Sequence, residues 1–378
     1  MPSYSGVWTL PAQMQAEAAG TWPKPPILGG LWTWGMNYSG QLGLNNIVLR
    51  SSPVQVGSLT TWTELSGGYD HALAIKDSTL WSWGGNASGQ LGLNNVVSRS
   101  SPVQVGALTT WAQIAAGVNC CVAVKTDGTI WSWGSNASGR LGLNNVVNYS
   151  SPKQIGALTT WSQVSAGRYH ALSIKTDGSL WAWGRASSGQ LGSNSVVYQS
   201  SPVQIGSLTT WSQIAAGGNQ SAAIKTDGTL WTWGSNNVGQ LGANSAANSS
   251  SPVQVGALTT WSKIAMGRFH CLASKTDGTL WAWGRNQYGQ LGINSVVYQS
   301  SPVQVGALTT WSKVAAGDGQ SIVIKTDGTL WSWGYNLRGA LGLNNTAMGS
   351  SPVQVGALAS WAKLPKMSES SASMAIKT

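Results

Sequence analysis

The stretch SAAIKTDGTLWTWG, Ser221–Gly234, places two short apolar runs on either side of a turn. Trp231 and Trp233 alternate with small residues, the period-2 spacing of a β-strand, and TDG between the runs is a tight-turn sequence with a glycine free to take positive φ. Working outward, the same unit supplies PVQI at Pro202–Ile205 and WSQIAAG at Trp211–Gly217. Four runs of four to seven residues, none with helical spacing, predict four antiparallel strands.

The unit repeats. WxWG begins at Trp32, Trp81, Trp131, Trp181, Trp231, Trp281 and Trp331, each 50 residues after the last except the first interval of 49, where KTDGT shortens to KDST at Lys76–Thr79. A third tryptophan follows each time, at Trp62, Trp111, Trp161, Trp211, Trp261, Trp311 and Trp361. Four strands repeated seven times at this period predict an all-β fold, a seven-bladed β-propeller over residues 31–378. The last unit lacks its own LWxWG strand, and LWTWG at Leu31–Gly35 precedes any complete unit. The expectation is that three C-terminal strands and this N-terminal strand form one shared blade, which closes the ring and removes a free edge. Tryptophans at fixed strand positions read as core between stacked blades, not as a ligand cage.

At GRYHALSIKTDGSLWAWGRASSGQLG, Gly167–Gly192, the chain resembles the regulator of chromosome condensation repeat, and the likeness extends from about Leu31 to Thr378. That resemblance implies the same propeller. It leaves function open, because one fold carries many activities. Nucleotide exchange by the eponymous member depends on an added wedge-like hairpin, and the uniform unit length here argues against that activity. A secreted relative that inhibits β-lactamases has shorter repeats and is exported.

Residues 1–30 form an expected extension and strap, and a possible docking arm to a larger assembly. SGVWTLPAQMQAEAAGTWPKPP, Ser5–Pro26, resembles lead-in segments of tailed-bacteriophage structural proteins. Pro11–Ala19 can form a short helix stopped by Gly20, followed by an extended Pro23–Pro26 strap. The N-terminus lacks the layout of a secretory signal, and no apolar run is long enough to span a membrane.

In an antiparallel blade successive turns alternate between the two faces of the disc. The GALTT and KTDG turns share one face, whose lysines (such as Lys175) are nearly cancelled by aspartates (such as Asp177). The other face takes the GRYH-type turns and the long links after WxWG, and their side chains vary from copy to copy. It collects the arginines: Arg50, Arg99, Arg140 and Arg168 from the first half of the chain, and Arg185, Arg268, Arg285 and Arg338 from the second. Tyr69, Tyr149, Tyr169 and Tyr198 join them, as do Phe269, Tyr288, Tyr298 and Tyr335. Arginine and tyrosine are enriched at recognition surfaces, so this face is the expected binding face. The net charge of +10 leans toward an anionic partner.

No catalytic residue stands out. His71, His170 and His270 sit where other copies carry Cys120, Gln220 and Gln320, which reads as a structural position. Cys120, Cys121 and Cys271 lack ligand spacing and read as buried thiols. Acidic residues are isolated, so no metal, no cofactor and no paired-carboxylate chemistry is expected. The expected function is a non-enzymatic binding propeller, foremost a phage virion or surface-structure protein recognising a protein or cell-surface glycan. A cytoplasmic protein-interaction or inhibitor propeller is the alternative, and nucleic-acid or chromatin association is a further one.

Overall fold

The computed structural model describes residues 29–367 and 369–378, so the expected helix, strap and phage-like lead-in lie outside the described residues. Blade three shows how one repeat folds. Its strands Trp161–Ala166, His170–Lys175, Leu180–Gly184 and Gln199–Gln204 lie side by side in that order, all antiparallel. Blades one, two, four, five and six repeat the pattern from Trp62, Trp111, Trp211, Trp261 and Trp311. The tryptophan-led strands of neighbouring blades touch one another, so they are innermost and line a central channel.

Closure differs in one detail from the expected three-plus-one split. Blade seven joins Trp361–Lys363 and Ala372–Lys377 to two N-terminal strands, Gly30–Gly35 and Arg50–Gln55. Strand Leu31–Gly35 does complete the C-terminal blade, but SSPVQ follows WxWG as the outermost strand of the same blade and does not begin the next. Proline explains the placement. It has no N–H to give a ladder, and an outer edge is the strand position where none is needed.

The KTDG turn is built as its chemistry demands. The Gly178 N–H donates to the Lys175 carbonyl (2.9 Å), and Gly178 sits at φ +79°, where a Cβ would lie 2.2 Å from the Thr209 carbonyl oxygen. Asp177 does not hold Lys175. Its Oδ1 accepts from the N–H and hydroxyl of Ser179 (2.8 and 2.6 Å), while Lys175 lies over Trp181 (3.6 Å) and Trp161 (4.8 Å). Burial pulls the Lys175 pKa down. The lysine is a cation–π cap on the tryptophan pair, repeated at Lys125, Lys225, Lys275 and Lys325.

Hydrophobic clusters lie between blades. Leu172, Ile174 and Leu180 of blade three pack on Trp211, Ala223 and Trp233 of blade four. The indole N–H of Trp233 donates back across the seam to the Gln190 carbonyl (3.0 Å), and Trp34 makes the equivalent bond to Ala340 (2.9 Å) across the last seam. Each blade is thus pinned to the one before it, around the whole ring.

The variable histidines also serve these seams. His170 Nε2 lies 2.8 Å from Ser221 Oγ, which itself donates to the Gln190 carbonyl (2.7 Å). The ring therefore donates from Nε2, and burial, which pulls its pKa down to about 3, keeps it neutral. His270 repeats this with Ser321 (3.1 Å), and His71 meets Cys121 Sγ (3.1 Å). Burial pushes the Cys121 and Cys271 thiols well up, consistent with inert core residues.

Candidate functional site

The short turns between first and second strands ring one mouth of the central channel, and the long links lie beside them: the Arg185 N–H donates to the Tyr169 carbonyl (2.9 Å), and Arg285 does the same with Phe269 (2.9 Å). This juxtaposition gathers an arginine–aromatic cluster. Arg140, Arg168 and Arg185 all approach the Tyr169 ring, at 4.8, 5.1 and 5.2 Å. Arg268 and Arg285 flank Phe269 at 5.0 and 5.1 Å. Arg285 also lies over Tyr288 (5.4 Å), whose ring contacts Tyr335 at 5.0 Å. Arg338 lies 5.5 Å from Tyr38 at the next blade. Tyr69, 40% exposed, completes the rim of the mouth on blade one.

The sixteen expected residues do not form one site. Arg50, Arg99 and Tyr149 begin outermost strands, and Tyr198 and Tyr298 immediately precede them, so these five stand on the outer rim, away from the mouth. Arg140 is corrected more sharply: it is 4% exposed, its Nε donates to the Ala137 carbonyl (3.0 Å) and its Nη1 to the Arg168 carbonyl (3.3 Å). It takes the place that glutamine holds in GQLG, and its guanidinium is used inside the fold.

Nothing in the sequence ties Glu369 to this face. Blade seven's turn is irregular, and after Lys363 the chain leaves the strand path. Lys366–Met367 pairs in parallel with Ser66–Gly67 of blade one and lies against inner strands of blades two, five and six, crossing the channel. Beyond this crossing Glu369 is buried beside Gly218, 3.8 Å from Arg168. Arg268 bonds Asp318 at 3.1 Å. Burial raises the Glu369 carboxyl to about 7, against the pull of Arg168 and Arg268 and with a further push from Asp318.

Between the ordinary glutamate range and pH about 7 the folded chain keeps a proton that the unfolded chain has lost, so this group lowers stability as pH rises through that window. Glu369→Gln is expected to gain about 2–3 kcal/mol on the wild-type protein between about pH 5 and about pH 8. Parallel denaturant curves at the two pH values check this; parallel pH dependences would refute it.

Among the described residues no group of three His, Cys, Asp or Glu side chains could hold a metal, and no helix is long and apolar enough to cross a membrane. The mouth offers planar cations and aromatic faces.

A family model described as the regulator of chromosome condensation (RCC1) repeat matches residues 29–75, 77–124, 127–174, 177–224, 227–274, 277–324 and 327–364. A second with the same description matches 111–140, 161–190, 211–240, 261–290 and 311–340. Most windows of the first run from one blade's third strand to the next blade's second, so the sequence repeat straddles two blades. No curated protein matches the chain. The crystal structure of human WBSCR16 superposes with a TM-score of 0.84 at 20% identity, covering 93% of this chain and 99% of that one. Prp20p from Saccharomyces cerevisiae, described with its binding to Gsp1p and histones, gives 0.82 at 22% identity over 94% and 93%. Yeast Prp20 with Kap60 bound gives 0.82 at 22% identity over 93% and 90%. At these identities the likeness speaks for the fold.

Proposed function

This chain belongs to the regulator of chromosome condensation (RCC1) repeat family, and from that premise we propose that it is a non-enzymatic propeller that binds another protein with the arginine–aromatic mouth of its channel. The observation that carries the reading is the cluster of Arg168, Arg185, Arg268 and Arg285 on Tyr169, Phe269 and Tyr288. Guanidinium groups stacked on rings are held in place before a partner arrives, which lowers the ordering cost of binding. Such residues dominate the energetics of protein interfaces.

A protein partner with an acidic patch fits better than a nucleic acid. Arg168 and Arg268 already face Glu369 and Asp318, so the arginines left to meet a partner are few and set among aromatic rings, unlike the continuous basic stripe that a nucleic acid follows. Gsp1p, histones and Kap60 are the partners named with Prp20, and we carry over only their class, protein. The phage-like lead-in draws no support from the comparisons, and the virion and glycan readings that rested on it have none either.

Arg185→Ala combined with Arg285→Ala is expected to weaken the partner interaction about a hundredfold while leaving the melting temperature little changed. Cross-linked capture from source cells, then titration of the captured protein with both forms, reads the effect. If the variant keeps every interaction of the wild-type protein, the mouth is not the binding site. Capture of nucleic acid instead, with affinity falling steeply as salt rises, would replace the protein reading.

A further inference from the structure

The opposite end of the channel carries a second charged feature, independent of the binding face. The third residue of each innermost strand is Glu64 on blade one, glutamine at 113, 163 and 213 on blades two to four, then Lys263, Lys313 and Lys363 on blades five to seven. Glu64, Gln213 and the three lysines line one pocket of about 240 Å³. Lys366, on the segment that crosses the channel, turns instead toward blades two and three, donating to Gln113 Oε1 (3.1 Å) and the Val164 carbonyl (3.2 Å).

Three ammonium groups therefore share this pocket with a single carboxylate, Glu64, among the described residues. Lys363 bonds Glu64 at 3.1 Å. Lys313 donates to the Ala362 carbonyl, and Lys263 is exposed with no polar partner among the described residues. Both burial and the neighbouring charge of Lys363 lower the Lys313 pKa, as expected of crowded, uncompensated cations. Glutamine at the same position in three blades shows that the fold does not need these charges. Clustering them works against folding unless an anion offsets the repulsion.

We propose that this pocket binds a compact, multiply charged phosphate anion, entering from the KTDG side of the disc. The pocket lies below the size range of sites for drug-sized organic ligands. Lysines act as point charges that suit phosphate, and here three of them on consecutive blades present their ammonium groups to one small pocket.

The test is calorimetric titration with inorganic tripolyphosphate at low ionic strength. Saturable one-to-one binding is expected in the wild-type protein. Lys263→Gln with Lys313→Gln, which restores what blades two to four carry, should weaken it at least about tenfold. Arg185→Ala with Arg285→Ala removes the same charge from the other face and should leave it within about twofold. Should the lysine double variant melt early, Lys263→Gln alone serves the same comparison, its side chain being exposed. Absence of saturable binding overturns the proposal, as does equal weakening by the two double variants, which would reduce the effect to net charge.

Discussion

Replacing Trp233 by alanine is expected to cost about 3–5 kcal/mol, far more than the same change at Trp231 two residues earlier. Trp233 is fully buried in the seam with blade three, edge-on to Trp211 at 6.4 Å, and donates to the Gln190 carbonyl. Gly192 closes over its indole: a Cβ there would stand 2.7 Å from Nε1. The backbone around the ring is consequently shaped to tryptophan and will not collapse into the space that alanine leaves. Trp231 is half-buried under Lys225 and bonded to Thr229 in its own blade, so about 1–2 kcal/mol is expected there. Urea midpoints of the two variants decide the matter. Equal losses would mean that the seam is not where stability resides.

Acid is expected to destabilise the protein well above the ordinary carboxylate range. Burial depresses the pKa of His170 and of His270 to about 3 in the fold, whereas an unfolded chain protonates them at the ordinary value near 6.5. From about pH 6.5 down to about 3 the unfolded state binds more protons, so stability is fully present above that window and is lost as pH falls through it. Two such groups together amount to roughly 5 kcal/mol by about pH 4.5. Glu369 works in the opposite direction, so the clean measurement is a difference. His170→Gln with His270→Gln should remain folded, because Gln220 already fills the equivalent position and bonds the Gly267 carbonyl (2.9 Å). Its stability should fall less steeply with acid than that of the wild-type protein. Identical acid profiles would show that these rings do not stay neutral in the fold.

Much of the architecture was legible in the sequence because it depends on local chemistry repeated seven times. Period-2 tryptophans, TDG turns and the early LWTWG strand each have one economical arrangement. The outer strand was harder to assign: SSPVQ lies between two units, and only its antiparallel register, Trp181 opposite Gln204 and Gly184 opposite Gln199, ties it to the preceding one. Proline in that run was the available signal. The lysine cluster could have been found by reading the third position of the innermost strands in column, where glutamine gives way to lysine halfway round.

The sequence by itself determined the number of blades, the strand content and which turns share a face, because spacing and alternation are properties of a chain alone. It could not determine which side chains meet. Arg140 and Arg185 look alike in a list of link residues and both lie near the Tyr169 ring, yet Arg140 is buried and bonded to backbone carbonyls while the Arg185 guanidinium bonds the exposed Ser187 hydroxyl. Glu369, isolated along the chain, is brought beside Arg168 some two hundred residues away, and Lys366 reaches Gln113 across the axis. Those encounters exist only after the ring closes and an irregular segment with no counterpart in the other six units crosses its centre. Its course is set by the cavity it enters, and no repeat in the sequence records that cavity.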